Sequence, residues 1–325
     1  MLKEDRVLEL LRANKTFFIS GEDISRKLKV SRAAVWKDIQ HLRALGYEIH
    51  AEPHKGYRLV SVPDKMFADE ISAGLSTAKF GRPIFSYEQL DSTNDAAFKL
   101  GKEGLKEGAC VVAEYQKKGR GRLGRAWESP KGKNILLSVI LRPLLSPAEV
   151  PKITLVAAVS VVKAARQMTG AMLGIKWPND LLYQGKKVGG ILTEMDAEAD
   201  RVHFVIVGIG INVNSTHKEL PPEATSLKEI AQHDISRLEF MRKLLLEMEN
   251  DYLKFKCGKF NELAREWESL SLTSGRRVTA DVLGRKVHGQ ALGIDKDGAL
   301  WIRTDSGLQE RILAGDIRLI RQSHG

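Results

Sequence analysis

Gly119-Arg120-Gly121-Arg122-Leu123-Gly124-Arg125-Ala126-Trp127 is the stretch on which the reading of this 325-residue chain turns. Three arginines and three glycines fall within seven residues, and a tryptophan follows. Glycine lets a backbone approach a ligand closely and adopt positive φ. Arginine supplies planar donors that match carboxylate and phosphate oxygens. The stretch reads as a loop that closes over an anionic small molecule bearing an aromatic ring. Two other readings compete. The glycines at 119, 121 and 124 fit a dinucleotide fingerprint and follow an apolar strand-like run at 110–115, but a fingerprint must open a helix. Here Glu128-Ser129-Pro130 and the turn-like Lys131-Gly132-Lys133 follow instead. A disordered Arg/Gly tract that binds nucleic acid without sequence preference is normally longer and repeated. No Gly-x-x-x-x-Gly-Lys-Ser/Thr occurs, so a P-loop is excluded.

The length predicts two or three domains, and the 43% hydrophobic content predicts a sizeable core. The net charge of +10 favours anionic partners. Cys110 and Cys257 have no metal-site spacing and predict reduced thiols in a cytosol. The charged start, Met1-Leu2-Lys3-Glu4-Asp5-Arg6, is unlike a signal peptide. The longest apolar run, 153–162, lies between Lys152 and Lys163 and is about half the length a bilayer requires. These features predict a cytoplasmic protein without a membrane anchor, repeat or low-complexity tract.

The first sixty residues predict a helix over 2–11 with Val7, Leu8 and Leu11 on one face. Ser20 or Gly21 starts a second helix over 22–28, and Lys29-Val30 makes a turn. Ser31 caps a third helix over 32–45, which Gly46 ends. Val35, Ile39, Leu42 and Leu45 form its buried stripe, leaving Arg32, Ala33, Trp36, Lys37, Gln40 and Arg43 elsewhere, mostly outward. A hairpin over 47–51 and 57–60, turning at 53–56, follows as a wing. This order of elements predicts a winged helix-turn-helix in which Ser31, Arg32, Ala33, Trp36, Lys37, Gln40 and Arg43 meet DNA. Charge alone does not decide it: residues 1–62 hold 12 Lys/Arg and 8 Asp/Glu. A small helical interaction module is the competing reading. Trp36 reads equally as partly buried at the helix edge or as a contact to the DNA backbone or a thymine methyl. Ser61-Val62-Pro63-Asp64 suits a linker.

From about 68 to 270 helices and strands mix, with strands predicted at 86–90, 110–115, 135–142 and 202–207 and an apolar helix at 150–168. Ser92 and Asp95 fit a capping box for a helix over 96–100, the better reading of that stretch on sequence alone. The alternative is that the side chains of Ser92, Thr93 and Asn94 face a polar ligand. Pro178 biases Trp177 toward an extended conformation in Lys176-Trp177-Pro178-Asn179-Asp180. Lys187 leads into Gly189-Gly190-Ile191-Leu192 either as an exposed hairpin lysine or as an anion ligand. Alternating Gly208 and Gly210, before Asn212, indicate close approach by a backbone or ligand. Alternating segments at 277–282, 286–294, 300–304 and 309–313, with turns at Gly284, Asp297-Gly298 and Ser306-Gly307, predict a small all-β tail.

Taken together, Ser92-Thr93-Asn94, Tyr115-Gln116 running into the Arg/Gly loop, Lys176 to Asp180, Lys187 to Leu192 and Gly208 to Asn212 resemble the biotin protein ligase family in order and spacing. The N-terminal winged helix narrows the resemblance to its bifunctional class, ligase and biotin operon repressor in one chain. It implies an α/β multi-domain chain: a winged helix-turn-helix at 1–62, a ligase domain at 66–270 related to lipoate ligases and class II aminoacyl-tRNA synthetases, and an SH3-like barrel at 271–325. It implies that ATP and biotin, with Mg²⁺ arriving on ATP, give biotinyl-5′-AMP, and that biotin then passes to a lysine of a biotin carboxyl carrier domain. The same adenylate acts as corepressor, drawing two chains into a homodimer on operator DNA.

By the same resemblance, Ser92, Thr93, Gln116 and the Arg120 backbone hold the ureido ring, with Asn94 and Gly121 beside them. Lys187 meets the carboxylate and, with Arg120 and Arg122, neutralises the meeting anions. Arg122 covers the phosphate, Trp127 closes on the adenine and Asn212 helps read it. Lys176, Asn179 and Asp180 lie near the nucleotide, and no metal is held by protein ligands alone. A biotin sensor without ligase activity, a ligase whose N-terminal domain does not bind DNA, and a lipoate ligase remain as alternatives.

Overall fold

The computed structural model describes residues 3–282 and 284–320. Leu2, at the start of the first predicted helix, and 321–325, at the end of the predicted C-terminal segment, lie outside them. The chain divides after Lys65 into two compact units.

The first unit contains α1 (Lys3–Ala13), α2 (Gly21–Leu28), α3 (Arg32–Ala44) and the antiparallel hairpin β1 (Glu48–Glu52) and β2 (Gly56–Ser61). Ser20 Oγ accepts from Asp23 N at 3.0 Å and Ser31 Oγ from Ala34 N at 3.1 Å, so both helix starts are capped as the sequence predicts. Val7, Leu8, Leu11, Ile24, Val35, Ile39 and Leu42 form one core with Ile49 and Leu59 of the hairpin. Leu45, expected in the buried stripe, is only partly buried because the helix ends before it. Ile19 and Tyr57 exchange backbone hydrogen bonds at 2.9 Å, tying the loop before α2 to the hairpin. At Gly56 (φ +109°) a Cβ would lie 2.1 Å from the Ile19 carbonyl oxygen, so that junction requires glycine.

The second unit runs α4 (Ala68–Ser72), β3 (Ile84–Tyr87), α5 (Thr93–Lys102), β4 (Cys110–Ala113), β5 (Ile135–Leu141), α6 (Pro151–Thr169), β6 (Gly174–Lys176), β7 (Asp180–Tyr183), β8 (Lys186–Ala197), β9 (Val202–Ile211), α7 (Leu227–Ala231), α8 (Arg237–Lys256) and α9 (Phe260–Leu270). It ends with β10 (Arg277–Val282), β11 (Arg285–Ile294), β12 (Leu300–Thr304), β13 (Gln309–Ile312) and β14 (Asp316–Leu319). The large sheet has the order β3-β4-β5-β9-β8-β7-β6. β3 and β4 are parallel and the other neighbours antiparallel. Strand β5 is buried along its whole length and α6 along most of its own, matching their unbroken apolar sequences.

Three differences from the sequence reading have local causes. The strand expected at 86–90 stops at Tyr87, and Leu90 instead bridges Gln116. The strand expected at 202–207 continues to Ile211, since its glycines pair in register with β5 and β8. The tail gains a fifth strand, β14, whose only buried residue is Ile317, too little apolar patterning to read. The C-terminal sheet, ordered β13-β12-β11-β10-β14, is fastened to the large one. Trp177, 2% exposed, donates from Nε1 to the Gly298 carbonyl at 3.2 Å and from its backbone N to Thr273 Oγ1 at 3.0 Å.

Cys110 is sealed inside β4, where burial pushes its thiol up to about 12, while Cys257 is exposed. A thiol-titrating disulfide reagent at about pH 8 should therefore modify one thiol in the native protein and both after denaturation, the thiolate being the reactive form. Rapid native reaction of both would contradict this packing.

Candidate active site

Strand β9 builds the floor of the site through the alternation of its faces. Phe204 and Ile206 pack against α5, Phe204 meeting Phe98 edge-on at 5.1 Å. The next two positions on that face are Gly208 and Gly210. A Cβ at 208 would lie 2.2 Å from Asn94 Oδ1, and one at 210 would lie 2.6 Å from the Trp127 ring. The close approach expected from the alternating glycines is therefore made by two side chains.

Over this floor the Arg/Gly loop folds back on itself rather than opening a long helix. Trp127 N donates to the Gly119 carbonyl at 2.9 Å and Gly121 N to the Arg125 carbonyl at 2.7 Å. Only a single short turn, Arg122–Gly124, intervenes, with Leu123 in the left-handed region at φ 57°. This geometry removes the dinucleotide reading, which needs a helix whose N-terminus faces the phosphates. The Trp127 indole N–H is buried without an acceptor among the described residues.

The cleft so formed, about 120 Å³, is lined by Ser92, Thr93, Asn94, Gln116, Arg120, Gly121, Arg122, Trp127, Asn179, Asp180 and Lys187. Of the ligase residues singled out in the sequence, only Lys176 and Asn212 are absent from its lining. Lys187 Nζ lies 2.7 Å from Asp180 Oδ1 and 5.7 Å from the centre of the Trp127 ring. A register shift between β7 and β8 leaves Val188 as the extra residue between the Leu181–Gly189 and Leu182–Lys187 pairs, and such bulges re-aim side chains. Lys186 beside it is exposed. Lys176 Nζ stands 4.0 Å from Asp180 Oδ2. Asp180 thus serves as the counter-ion of the lysine pair.

At the other end the groups are mostly neutral. Gln116 Oε1 accepts from Thr93 N at 2.7 Å and from Thr93 Oγ1 at 2.9 Å. The capping box expected of Ser92 and Asp95 does not form: Ser92 makes no side-chain cap bond. Asp95 is drawn instead to Arg120, whose guanidinium makes bonds of 2.7 and 2.6 Å to it and reaches Glu194 at 3.2 Å. These partners raise the Arg120 pKa, the Asp95 hydrogen bonds most. Arg120 is therefore committed to two carboxylates in this structure.

Arg122 donates to Asn179 Oδ1 and to the Gly315 carbonyl, each at 3.1 Å, and Arg125 pairs with Asp316. Burial pushes the Arg122 pKa down, against the opposing pull of Asp180 and Asp316. The loop thus reaches the start of β14, a contact with no sequence signal. Asn212, expected at the adenine, is 3% exposed and off the cleft, its amide donating to the Thr225 carbonyl at 3.1 Å. Sequence reasoning also missed Ser138, Glu194 and Asp316. The signal available for Ser138 was a lone hydroxyl in the otherwise apolar Ile135–Leu141 strand.

In the first unit Ser31, Arg32, Ala33, Trp36 and Lys37 are exposed on α3, and Gln40 and Arg43 are partly buried. Trp36 is 58% exposed, partly covered at the helix edge with the rest of its surface open to solvent. Arg43 donates from Nε and Nη2 to the Ile49 carbonyl at 3.2 and 2.6 Å, so it braces α3 against the hairpin.

Comparison with known proteins agrees along the whole chain. The biotin/lipoate A/B protein ligase family model matches residues 86–212, an HTH domain model matches 3–58, and the biotin protein ligase C terminal domain model matches 273–319. The bifunctional ligase/repressor BirA of Bacillus subtilis is 42% identical over 322 residues, 98% of each chain. That of Escherichia coli is 31% identical over 305 residues, 93% of each. The biotin protein ligase of Aquifex aeolicus, solved with biotin and ATP, matches with a TM-score of 0.62 at 34% identity, covering 74% of this chain and all of that one. With an N-terminal helix-turn-helix, a ligase sheet carrying the gathered motif residues and a C-terminal sheet, the chain belongs to the bifunctional ligase/repressor class of the biotin protein ligase family.

Proposed function

We propose that this chain joins biotin to a lysine of a biotin carboxyl carrier domain at the expense of ATP, and represses transcription when it holds the adenylate. The observation that carries the ligase reading is the cleft itself, in which a neutral hydrogen-bonding end meets a lysine clamp under an arginine-rich loop. A ureido ring has no charge and suits Ser92, Thr93 and Gln116. The biotin carboxylate extends toward Lys187. There its oxygen attacks the α-phosphorus of ATP, the bond to the β-phosphate bridge breaks, and pyrophosphate leaves. Two anions must meet in this step, so their repulsion has to be offset by fixed cations. Lys187 and Arg122 supply them, since Arg120 is spent on Asp95 and Glu194. Mg²⁺ carried by ATP supplies further charge neutralisation, and Asp180 Oδ2 is a carboxylate oxygen of the kind such a hard cation takes.

Trp127 lies over Gly210 with an unmatched N–H, placed to close on the adenine. The loop then excludes water from the mixed anhydride. In the second step the acceptor lysine amine, having lost its proton, attacks the acyl carbon and AMP departs. Lipoate has no ureido group to satisfy Thr93 and Gln116, which favours biotin over lipoate. We further read the protein as cytosolic, built of modules at 1–62, 66–270 and 271–325, with the last sheet curling into an SH3-like barrel. Adenylate-bound chains pair as homodimers, so that two α3 helices address a two-fold operator.

Lys187→Ala should lower biotin-dependent pyrophosphate–ATP exchange by about 10²–10³, the loss typical of one charge-stabilising donor, while Lys186→Ala leaves it near wild type. Equal mild effects would remove Lys187 from the clamp. For the repressor, operator affinity should rise on adding biotin and ATP. Lys37→Ala should weaken binding to any DNA and flatten its salt dependence. Trp36→Ala should weaken operator binding while stability changes by less than about 0.5 kcal/mol, as for other surface sites. Operator affinity indifferent to biotin and ATP would defeat the corepressor reading.

A further inference from the structure

Residues 177–180, which lead from β6 into β7, face two ways. Asn179 and Asp180 line the cleft, whereas Trp177 is buried outside its lining. On the cleft side, Asn179 Oδ1 accepts from Arg122 Nη1 at 3.1 Å, and Asp180 Oδ1 pairs with Lys187 Nζ at 2.7 Å. One turn therefore supplies a partner to both Arg122 and Lys187. On its other side the turn is held by the C-terminal sheet and the loop leading to it. There β6 gains a short parallel partner: Ile175 bridges Ser271, and Leu272 N donates to the Ile175 carbonyl at 2.8 Å. The next rung of such a pairing would take Trp177 N to a main-chain carbonyl. It goes instead to Thr273 Oγ1 at 3.0 Å, the hydroxyl of a fully buried residue.

The indole end is held as well. Trp177 Nε1 donates to the Gly298 carbonyl at 3.2 Å, in the turn between β11 and β12. Asp295 ties that turn together, accepting from Asp297 N at 2.8 Å and from Ala299 N at 3.1 Å. Arg311 of β13 clasps Asp295 at 2.6 Å and Asp297 at 2.8 Å. The turn is also pressed against α6, since a Cβ at Gly298 would stand 2.7 Å from Leu155. We infer that Thr273 is a positioning residue: by holding Trp177 N it fixes the 177–180 turn, and so sets Asp180 against Lys187 and Asn179 against Arg122. The braced β11–β12 turn does the same through the indole. A buried N–H is costly to leave unpaired, so removing its acceptor shifts the turn instead of leaving the donor idle.

The expected effect on rate rests on the biotin ligase reading, and the test separates the two. Thr273→Val keeps the shape of the side chain and removes the acceptor, while Thr273→Ser keeps a hydroxyl. In the full-length protein Thr273→Val should lower the kcat of biotin-dependent pyrophosphate exchange about tenfold, within the roughly 10² that a displacement of about 1 Å costs. Thr273→Ser should recover most of that loss. Trp177→Phe, which removes only the indole donor, should move kcat in the same direction. In a Lys187→Ala background Thr273→Val should cost about twofold or less, because two residues that act through one contact are not additive. In parallel, the native proteins are treated with an amine-reactive reagent, and modification of Lys187 relative to the exposed Lys186 is read by mass spectrometry. That ratio should rise in Thr273→Val, as the Asp180 pairing loosens, and return in Thr273→Ser. Full exchange in Thr273→Val, or an equal loss with and without Lys187, would overturn the inference. So would an unchanged labelling ratio. Absence of exchange in the wild type would fell the ligase reading, and the labelling ratio would still decide the positioning.

Discussion

The site depends on two missing side chains. Strand β9 is paired on both sides, so its backbone cannot move aside for anything placed on it. Phe204 and Ile206 use one face of that strand to hold α5. Two residues further along the same face, Gly208 admits Asn94, and Gly210 admits Trp127. The first of these insertions brings the start of α5 into contact with β5 and β8. The second lowers the Arg/Gly loop onto the sheet beside Lys187. A single methyl at either position would need to displace a buried amide or an indole, so the glycines determine where both walls of the cleft stand.

Within that frame the charges are sorted by distance from the neutral end. Lys187 keeps a carboxylate partner, Asp180, at 2.7 Å, so its ammonium is held in place at the wall of the cleft. Arg120 faces the other way, pairing with Asp95 and Glu194 in the wall. Arg122 bridges the Asn179 amide and the C-terminal sheet. One loop therefore contributes a strut to the wall and a tie to the C-terminal sheet two residues apart, which alternating glycines allow by freeing the backbone between them.

Much of this was legible in the sequence, and the reasons for the remainder are physical. Motifs far apart in sequence, such as Ser92-Thr93-Asn94 and Gly190-Ile191-Leu192, could be placed together because their order matched a known family; the cross-strand register then brings them to one cleft. The caps at Ser20 and Ser31 were readable because each is local, spanning three residues. Asp95 was misread for the opposite reason: its local partner Ser92 lost to Arg120, 25 residues away, whose charge makes the stronger bond. Asn212 was singled out because it ends a motif, and nothing in the sequence signalled that its amide also donates to the Thr225 carbonyl inside the fold. Ser138 and Glu194 carry no motif at all, and they meet Asn94 only because the strands that bear them are brought beside α5.

The contacts from Arg122 to Gly315 and from Arg125 to Asp316 also make the last strand a thermodynamic party to events in the cleft. Coupling between two sites is reciprocal. Whatever free energy β14 lends to holding the loop over the cleft is returned, when a ligand in the cleft holds the loop, as added protection of β14 against opening. Retention of a ligand under the loop and resistance of the C-terminal sheet to fraying are then two readings of one quantity, and selection acting on either would carry the other with it.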